Sequence, residues 1–172
     1  MPYTYDYPRP AVTVDAIPFA RKPDGLRVLL IRRKNPPFQG CWALPGGFLD
    51  LDEELADAAA RELAEETGLT PLAMRQLSTY GKIGRDPRGR TISVAFIAAI
   101  APDAEPRAAS DAASLAWHDP NNPPEMAFDH DEILRDAVGW LRANLDDVEF
   151  PVALLGGNPS PENIDEIRRL FH

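Results

Sequence analysis

The stretch from Asp50 to Pro71 constrains the fold more than any other, because it reads as one helix with both ends marked. Leu55, Ala56, Ala59 and Leu63 recur at helical intervals, which places apolar groups along one face. Asp50 stands three residues before Glu53, a carboxylate version of the capping-box spacing that predicts a start near Glu53. Gly68 predicts a left-handed cap after Thr67, and Pro71 prevents continuation.

Strands flank this helix. Apolar and polar residues roughly alternate from Ala11 to Phe19, Pro23-Asp24-Gly25 supplies turn chemistry, and Arg27 to Arg33 is rich in branched aliphatics. Asn35-Pro36-Pro37 predicts a loop, and Trp42-Ala43-Leu44 leads into a second loop at Pro45-Gly46-Gly47. Gln76 to Ile83 and Thr91 to Ile100 read as strands, with the basic loop from Gly84 to Arg90 between them, and Leu115 to Trp117 as a further short strand. Asp131 to Asn144 carries Ile133, Leu134, Ala137, Val138 and Leu141 on one helical face. Trp117 and Trp140 are assigned to the core.

The 18 prolines argue for rigid loops and short strands rather than a helix bundle. The order of elements predicts an α+β protein, an α/β/α sandwich with a mixed β-sheet and helices on its faces. At 172 residues the chain suits one compact domain, expected at 7–145, with a C-terminal extension at 146–172. That extension is expected to hold a short helix, with Ser160 as cap, Pro161 in the first turn, and Ile164, Ile167, Leu170 and Phe171 as an apolar stripe. The stripe suits docking on the domain or on a second subunit, as in a homodimer.

A formal net charge of −9 opposes non-specific binding to nucleic acid or to an anionic membrane. An anionic substrate must then be met by local cations. The single cysteine, Cys41, excludes an internal disulfide framework and fits a reducing compartment. The first ten residues lack the basic start and apolar core of a signal peptide, and the run Val94 to Ala101 is too short to span a bilayer. Cytoplasm is the expected location.

On the predicted helix, Glu62 and Glu66 stack at i,i+4 and Glu62 and Glu65 at i,i+3, so three carboxylates can face one site. Like charges at such spacing destabilise a helix by roughly 0.2–0.5 kcal/mol per pair. Arg61 is spaced to pair with Glu65 but is too few in charge to compensate all three. A divalent cation is the better counter-charge, and an all-oxygen ligand set favours magnesium, with manganese as a substitute.

The surrounding residues make this acidic face specific. From Gly47, five residues lead to Glu53, seven more lead to Arg61-Glu62-Leu63, and Ala64, Glu65-Glu66, Thr67 and Gly68-Leu69 follow. With ordinary residue frequencies, such a match at a given start has odds on the order of one in a billion. It resembles the complete box of the Nudix hydrolases. The opening Tyr7 to Asp15, the segment Trp42 to Phe48, the loop Arg85 to Arg90 and the stretch Ala127 to His130 are similar to the ADP-ribose pyrophosphatase branch. They are similar also to the Nudix-related regulators of NAD metabolism.

The resemblance implies a Nudix fold and metal-dependent hydrolysis of a nucleoside diphosphate compound, with ADP-ribose cleaved to AMP and ribose 5-phosphate. It implies that Glu62, Glu65 and Glu66, helped by the carbonyl of Gly46, hold the metal. Arg61 would position the carboxylates, and Glu53 would support the junction of loop and helix or the outer metal shell. It leaves the proton acceptor open: Glu65 is the first choice, with Asp111, Asp129 and His130 as alternatives. Among local cations, Arg85, Arg88 and Arg90 are expected to grip phosphate or ribose, and Phe38 and Trp42 to stack on a base. Pro87 falls slightly later than in many ADP-ribose pyrophosphatases, which keeps nucleoside triphosphates and dinucleoside polyphosphates open as substrates. A ligand-sensing regulator is the alternative class, opposed by the undamaged box and by the acidic residues after Leu145.

Overall fold

The structure, a computed structural model, describes residues 5–108, 112–144 and 149–154, together with residue 169. Seven strands form one mixed sheet: β1 (Ala11–Lys22), β2 (Gly25–Arg33), β3 (Trp42–Ala43), β4 (Gly46–Phe48), β5 (Ala73–Tyr80), β6 (Thr91–Ala99) and β7 (Ala112–His118). Among the described residues, three helices accompany it: α1 (Leu55–Thr67), α2 (His130–Ala143) and α3 (Glu149–Leu154).

Strand β1 is the axis of the sheet. It pairs in parallel with β6 from Ala11↔Thr91 to Phe19↔Ala99. Its even-numbered residues Val14, Ala16 and Ala20 are buried with Ala58, Ala59 and Leu63 of α1. Its odd-numbered Ile17 and Phe19 are buried on the opposite face with Ile133, Leu134, Phe150 and Leu154 of α2 and α3. This period-two division of one strand between two helical layers makes the sandwich. Leu63 is fully buried, and its truncation to Ala would cost about 2–5 kcal/mol.

The other edge of β1 forks. Phe19 to Lys22 pair with Val28 to Gly25 of β2, whereas Thr13 to Asp15 pair with Phe48 to Gly46 of β4. Strand β3 pairs with the far end of β2, so Trp42 to Phe48 forms a wedge that keeps β1 and β2 apart. The segment read as a loop is therefore two short strands. They are too short for a periodic signal, and pairing with strands distant in sequence defines them. Pro18 lies at the fork. Ala16 donates its amide to Pro45 O, and strand alternation points the Pro18 nitrogen to the same side, where its missing N–H leaves no ladder bond unmade.

Helix α1 starts at Leu55, two residues later than the spacing predicted. The Asp50 amide does donate to Glu53 Oε1, but that bond closes the turn ahead of the helix. Gly68 ends it at φ 70°, donating to Ala64 O, as expected of a left-handed cap. Strand β5 begins at Ala73, three residues before its predicted start, and ends at Tyr80. Helix α3 was not anticipated. The expected helix from Ser160 lies outside the described residues. No helix among the described residues is long and apolar enough to cross a membrane.

Candidate active site

Arg61 organises the acidic face of α1. Its guanidinium donates to Glu53 at 2.6 and 2.9 Å, to Glu62 Oε1 at 2.8 Å and to Glu65 Oε2 at 3.2 Å. The Glu53 carboxyl is held at about 2 by the Arg61 hydrogen bonds and the Asp50 amide. Glu65 is the outermost of the set, with 61% of its side chain exposed against 15% for Glu62.

Glu66 projects toward the fork. Its Oε2 accepts the Gly46 amide at 2.9 Å. Burial, followed by the charges of Glu62 and Asp15, pushes its pKa up to about 8. Burial also raises that of Glu62. Both glycines of the wedge are required for this approach. A Cβ on Gly47 would lie 2.3 Å from Glu62 Oε1, and one on Gly46 would lie 2.2 Å from Val14 O.

Among the described residues, no three acidic, histidine or cysteine side chains stand as a finished metal-ligand cluster. Arg61 engages Glu62 and Glu65, and Gly46 engages Glu66. The donor chemistry nevertheless fits a hard divalent cation. Glu62 and Glu66 are withdrawn carboxylates with raised pKa values, and a cation would relieve that cost.

Beside Gly46 and Gly47 lies a cleft of about 220 Å³, lined by Thr13 and Asp15 of β1, by Arg33, Arg85, Arg88, Phe128 and His130, and by the wedge. Asp15 accepts a hydrogen bond from Ser93 and faces His130 Nε2 at 3.5 Å. Arg85 places a two-pronged contact of 2.8 and 2.6 Å on Asp129 and comes within 3.8 Å of Asp15. His130 Nδ1 accepts the Leu44 amide at 3.0 Å, and burial lowers its pKa.

The three arginines of the basic loop have separate placements. Arg85 is buried and committed to Asp129, so its fork is turned inward. Arg88 is paired with Asp86 at 2.7 Å but lies 45% exposed in the cleft, over the rings of Phe48 and Phe128. Arg90 donates to Gly81 O at 2.7 Å and does not line the cleft. Phe38 is exposed and edge-on to Phe128 at 4.8 Å, and it does not line the cleft itself. Trp42 packs on His118 and on the core rather than lining the cleft. Trp117 and Trp140 are partly buried and pack against the core.

Among the cleft residues that escaped the sequence reading are Asp15, Arg33 and Phe128. Asp15 had a signal, as the only charged residue between Ala11 and Ala20. Of the alternative proton acceptors, Asp129 is taken up by Arg85 through both oxygens, and Asp111 lies outside the described residues.

The chain matches the NUDIX domain family over residues 9–137. It belongs to that family. The NUDIX chain is 45% identical over 134 residues to the ADP-ribose pyrophosphatase of Methanocaldococcus jannaschii, covering 78% of this chain and 76% of that one. It is 34% identical over 170 residues to the ADPR responsive transcriptional repressor NtrR of Acinetobacter baylyi, covering 96% and 67%. Its fold superimposes with a TM-score of 0.72 on the NUDIX domain of Shewanella oneidensis NrtR complexed with ADP ribose, at 34% identity and covering 80% and 94%. In this NUDIX domain, Arg61, Glu62, Glu65, Glu66 and Gly46 are brought together, Arg88 lines the cleft that Gly46 and Gly47 also line, and Arg90 and Trp42 stand apart.

Proposed function

We propose that this NUDIX protein is a pyrophosphohydrolase that cleaves ADP-ribose to AMP and ribose 5-phosphate. The observation that carries the reading is the approach of Glu62 and Glu66 to Gly46-Gly47 at the edge of a cleft with a guanidinium, Arg88, on its wall. Withdrawn negative charge beside a cationic wall suits a cation and a diphosphate together.

Glu62, Glu65, Glu66 and the Gly46 carbonyl would hold the ion, with magnesium as the proposed species and manganese as a substitute. When bound, such a cation neutralises phosphate charge and acidifies water. Arg61 keeps Glu53, Glu62 and Glu65 in register on one face. Glu65 is the proposed proton acceptor, since it is the carboxylate least enclosed by protein and its one bond to Arg61 is the longest of that set. Arg88 receives phosphate oxygens, and Phe38, exposed beside the cleft residue Phe128, offers a flat surface to the base. Residues 7–145 are the proposed catalytic unit, with 146–172 as an extension that covers this unit or a second copy. The single Cys41 suits a reducing cytoplasm.

The NtrR similarity supports a second reading, in which ADP-ribose is bound as a signal. Incubation with Mg2+ and a panel of ADP-ribose, NADH, dinucleoside polyphosphates, sugar nucleotides and nucleoside triphosphates, with products identified by mass spectrometry, separates the two. AMP and ribose 5-phosphate from ADP-ribose are expected. Tight, salt-sensitive operator binding in a gel shift without hydrolysis would establish the regulator instead.

A further inference from the structure

We propose that Arg33, set in place by the ring of Phe128, acts with Arg88 as a paired receptor for the phosphoryl oxygens of a bound diphosphate. The proposal rests on the diphosphate reading of the cleft and adds two residues to it.

Arg33 ends β2, and the pairing of β2 with β7 shifts register between Arg32 and Arg33. Such an irregularity re-aims a side chain. Arg32 is exposed and donates to Gly40 O, whereas Arg33 lines the cleft. Its Nε donates to Pro37 O at 2.9 Å, which fixes the plane of the guanidinium. Among the described residues no carboxylate pairs with it within salt-bridge distance, unlike Arg61, Arg85 and Arg88, which pair with Glu53, Asp129 and Asp86.

Phe128 supplies the spacing. Its ring centroid lies 4.9 Å from the Arg33 guanidinium carbon and 5.5 Å from that of Arg88, both within the range of cation–π attraction. The backbone of Phe128 is held at φ 56° and that of Phe38, against which it packs, at φ 61°. Left-handed geometry costs a non-glycine residue on the order of 1–2 kcal/mol, and it persists where the surroundings over-determine it. Packing of the Phe128 ring on Phe38 and on both arginines offsets that cost.

Burial and the like charge of Arg88 disfavour the charged form of Arg33, against the favourable charges of Glu66 and Asp86. Two guanidiniums sharing one ring, only one of them in a close ion pair among the described residues, leave a site for an anion. A diphosphate presents two phosphoryl groups, so the Arg33 Nη groups, left over by the Nε bond to Pro37, can take oxygens of one and Arg88 Nη1, on the edge not engaged by Asp86, an oxygen of the other.

The test titrates metal-free protein with inorganic diphosphate by calorimetry and measures KM and kcat for ADP-ribose. Wild type is expected to bind diphosphate, with Arg33→Met at least tenfold weaker and Phe128→Leu weakened about threefold or more. For Arg33→Met, KM should rise at least tenfold while kcat stays within about threefold, the split of an interaction made equally in the bound and transition states. Unchanged diphosphate affinity and KM in a folded Arg33→Met variant overturn the proposal. Should that variant fail to fold, Arg33→Lys decides: loss of the fork should weaken diphosphate binding about threefold or more, and wild-type affinity overturns the assignment. If ADP-ribose is not cleaved but diphosphate binding still depends on Arg33, the substrate reading fails and the arginine pair stands.

Discussion

Glu66 Oε2 accepts the amide of Gly46 at 2.9 Å, pinning a withdrawn carboxylate of α1 to the strand beside the cleft. Burial and the neighbouring charges of Glu62 and Asp15 push its pKa from 4.5 up to about 8. Between those values the native protein holds a proton that the unfolded chain has released. The Glu66 contribution to metal-free stability therefore falls as pH rises through that window, and Mg2+ should restore it at the upper end. Thermal melts at about pH 5 and about pH 8, in chelator and in Mg2+, read this against Glu66→Gln. The variant should flatten the dependence, lose the stabilisation by Mg2+ and turn over at least a hundredfold more slowly; equal behaviour of the two proteins would sink the metal assignment.

Gly46 and Gly47 fail in different ways when a methyl group is added. At Gly46 the new Cβ meets Val14 O, a backbone atom, at 2.2 Å. Relief requires β1 and β4 to separate, so Gly46→Ala should lose about 1–3 kcal/mol or more. At Gly47 the Cβ meets the Glu62 carboxylate at 2.3 Å, and that side chain can swing away. Gly47→Ala should keep its stability within about 1 kcal/mol while turnover falls at least tenfold. Denaturant unfolding and steady-state rates on both variants distinguish the cases, and matched losses in the two would contradict the distinction.

Helix α1 was legible because each signal is local. Its apolar repeat, the Gly68 cap and the Arg61–Glu65 pairing all lie within one turn or two of their partners. Strand β1 was legible as a strand from its rough alternation, but its burial on both faces was not, because that depends on α1 covering one side and α2 and α3 the other. The wedge was not legible either, since β3 and β4 exist only through partners on β2 and β1, and a two-residue strand has no periodicity to read. The arginines show the same limit. Sequence placed Arg85, Arg88 and Arg90 on one loop, but only the fold determines which carboxylate each one meets, and Arg33 reaches the cleft through an irregular pairing with β7 that no local pattern announces.

Arg85 and Arg90 should therefore differ sharply. Arg85 is buried, and its removal leaves Asp129 without its charge partner, so Arg85→Ala should lose about 3–5 kcal/mol. Arg90 is exposed and bonded to a backbone carbonyl, so Arg90→Ala should stay within about 0.5 kcal/mol of wild type and keep its KM. A tenfold rise in KM for Arg90→Ala would return that residue to the substrate site.

His130 is held neutral by its surroundings, which bears on whether it can serve as the proton acceptor. Burial lowers its pKa below 6.5, its Nδ1 lone pair is occupied by the Leu44 amide, and Nε2 faces Asp15. These contacts assign the proton to Nε2 and leave no free lone pair for catalysis. Below about pH 6.5 the unfolded chain takes up a proton that native His130 refuses, so the His130 contribution is complete above that pH and is lost as pH falls through it. His130→Ala should lose about 2 kcal/mol or more at neutral pH, from an orphaned amide and a void, and should lose less further stability than wild type on acidification. Its turnover should remain within about fivefold, with the pH–rate profile unchanged in shape. Disappearance of one limb of that profile in a folded variant would instead make His130 the base and displace Glu65.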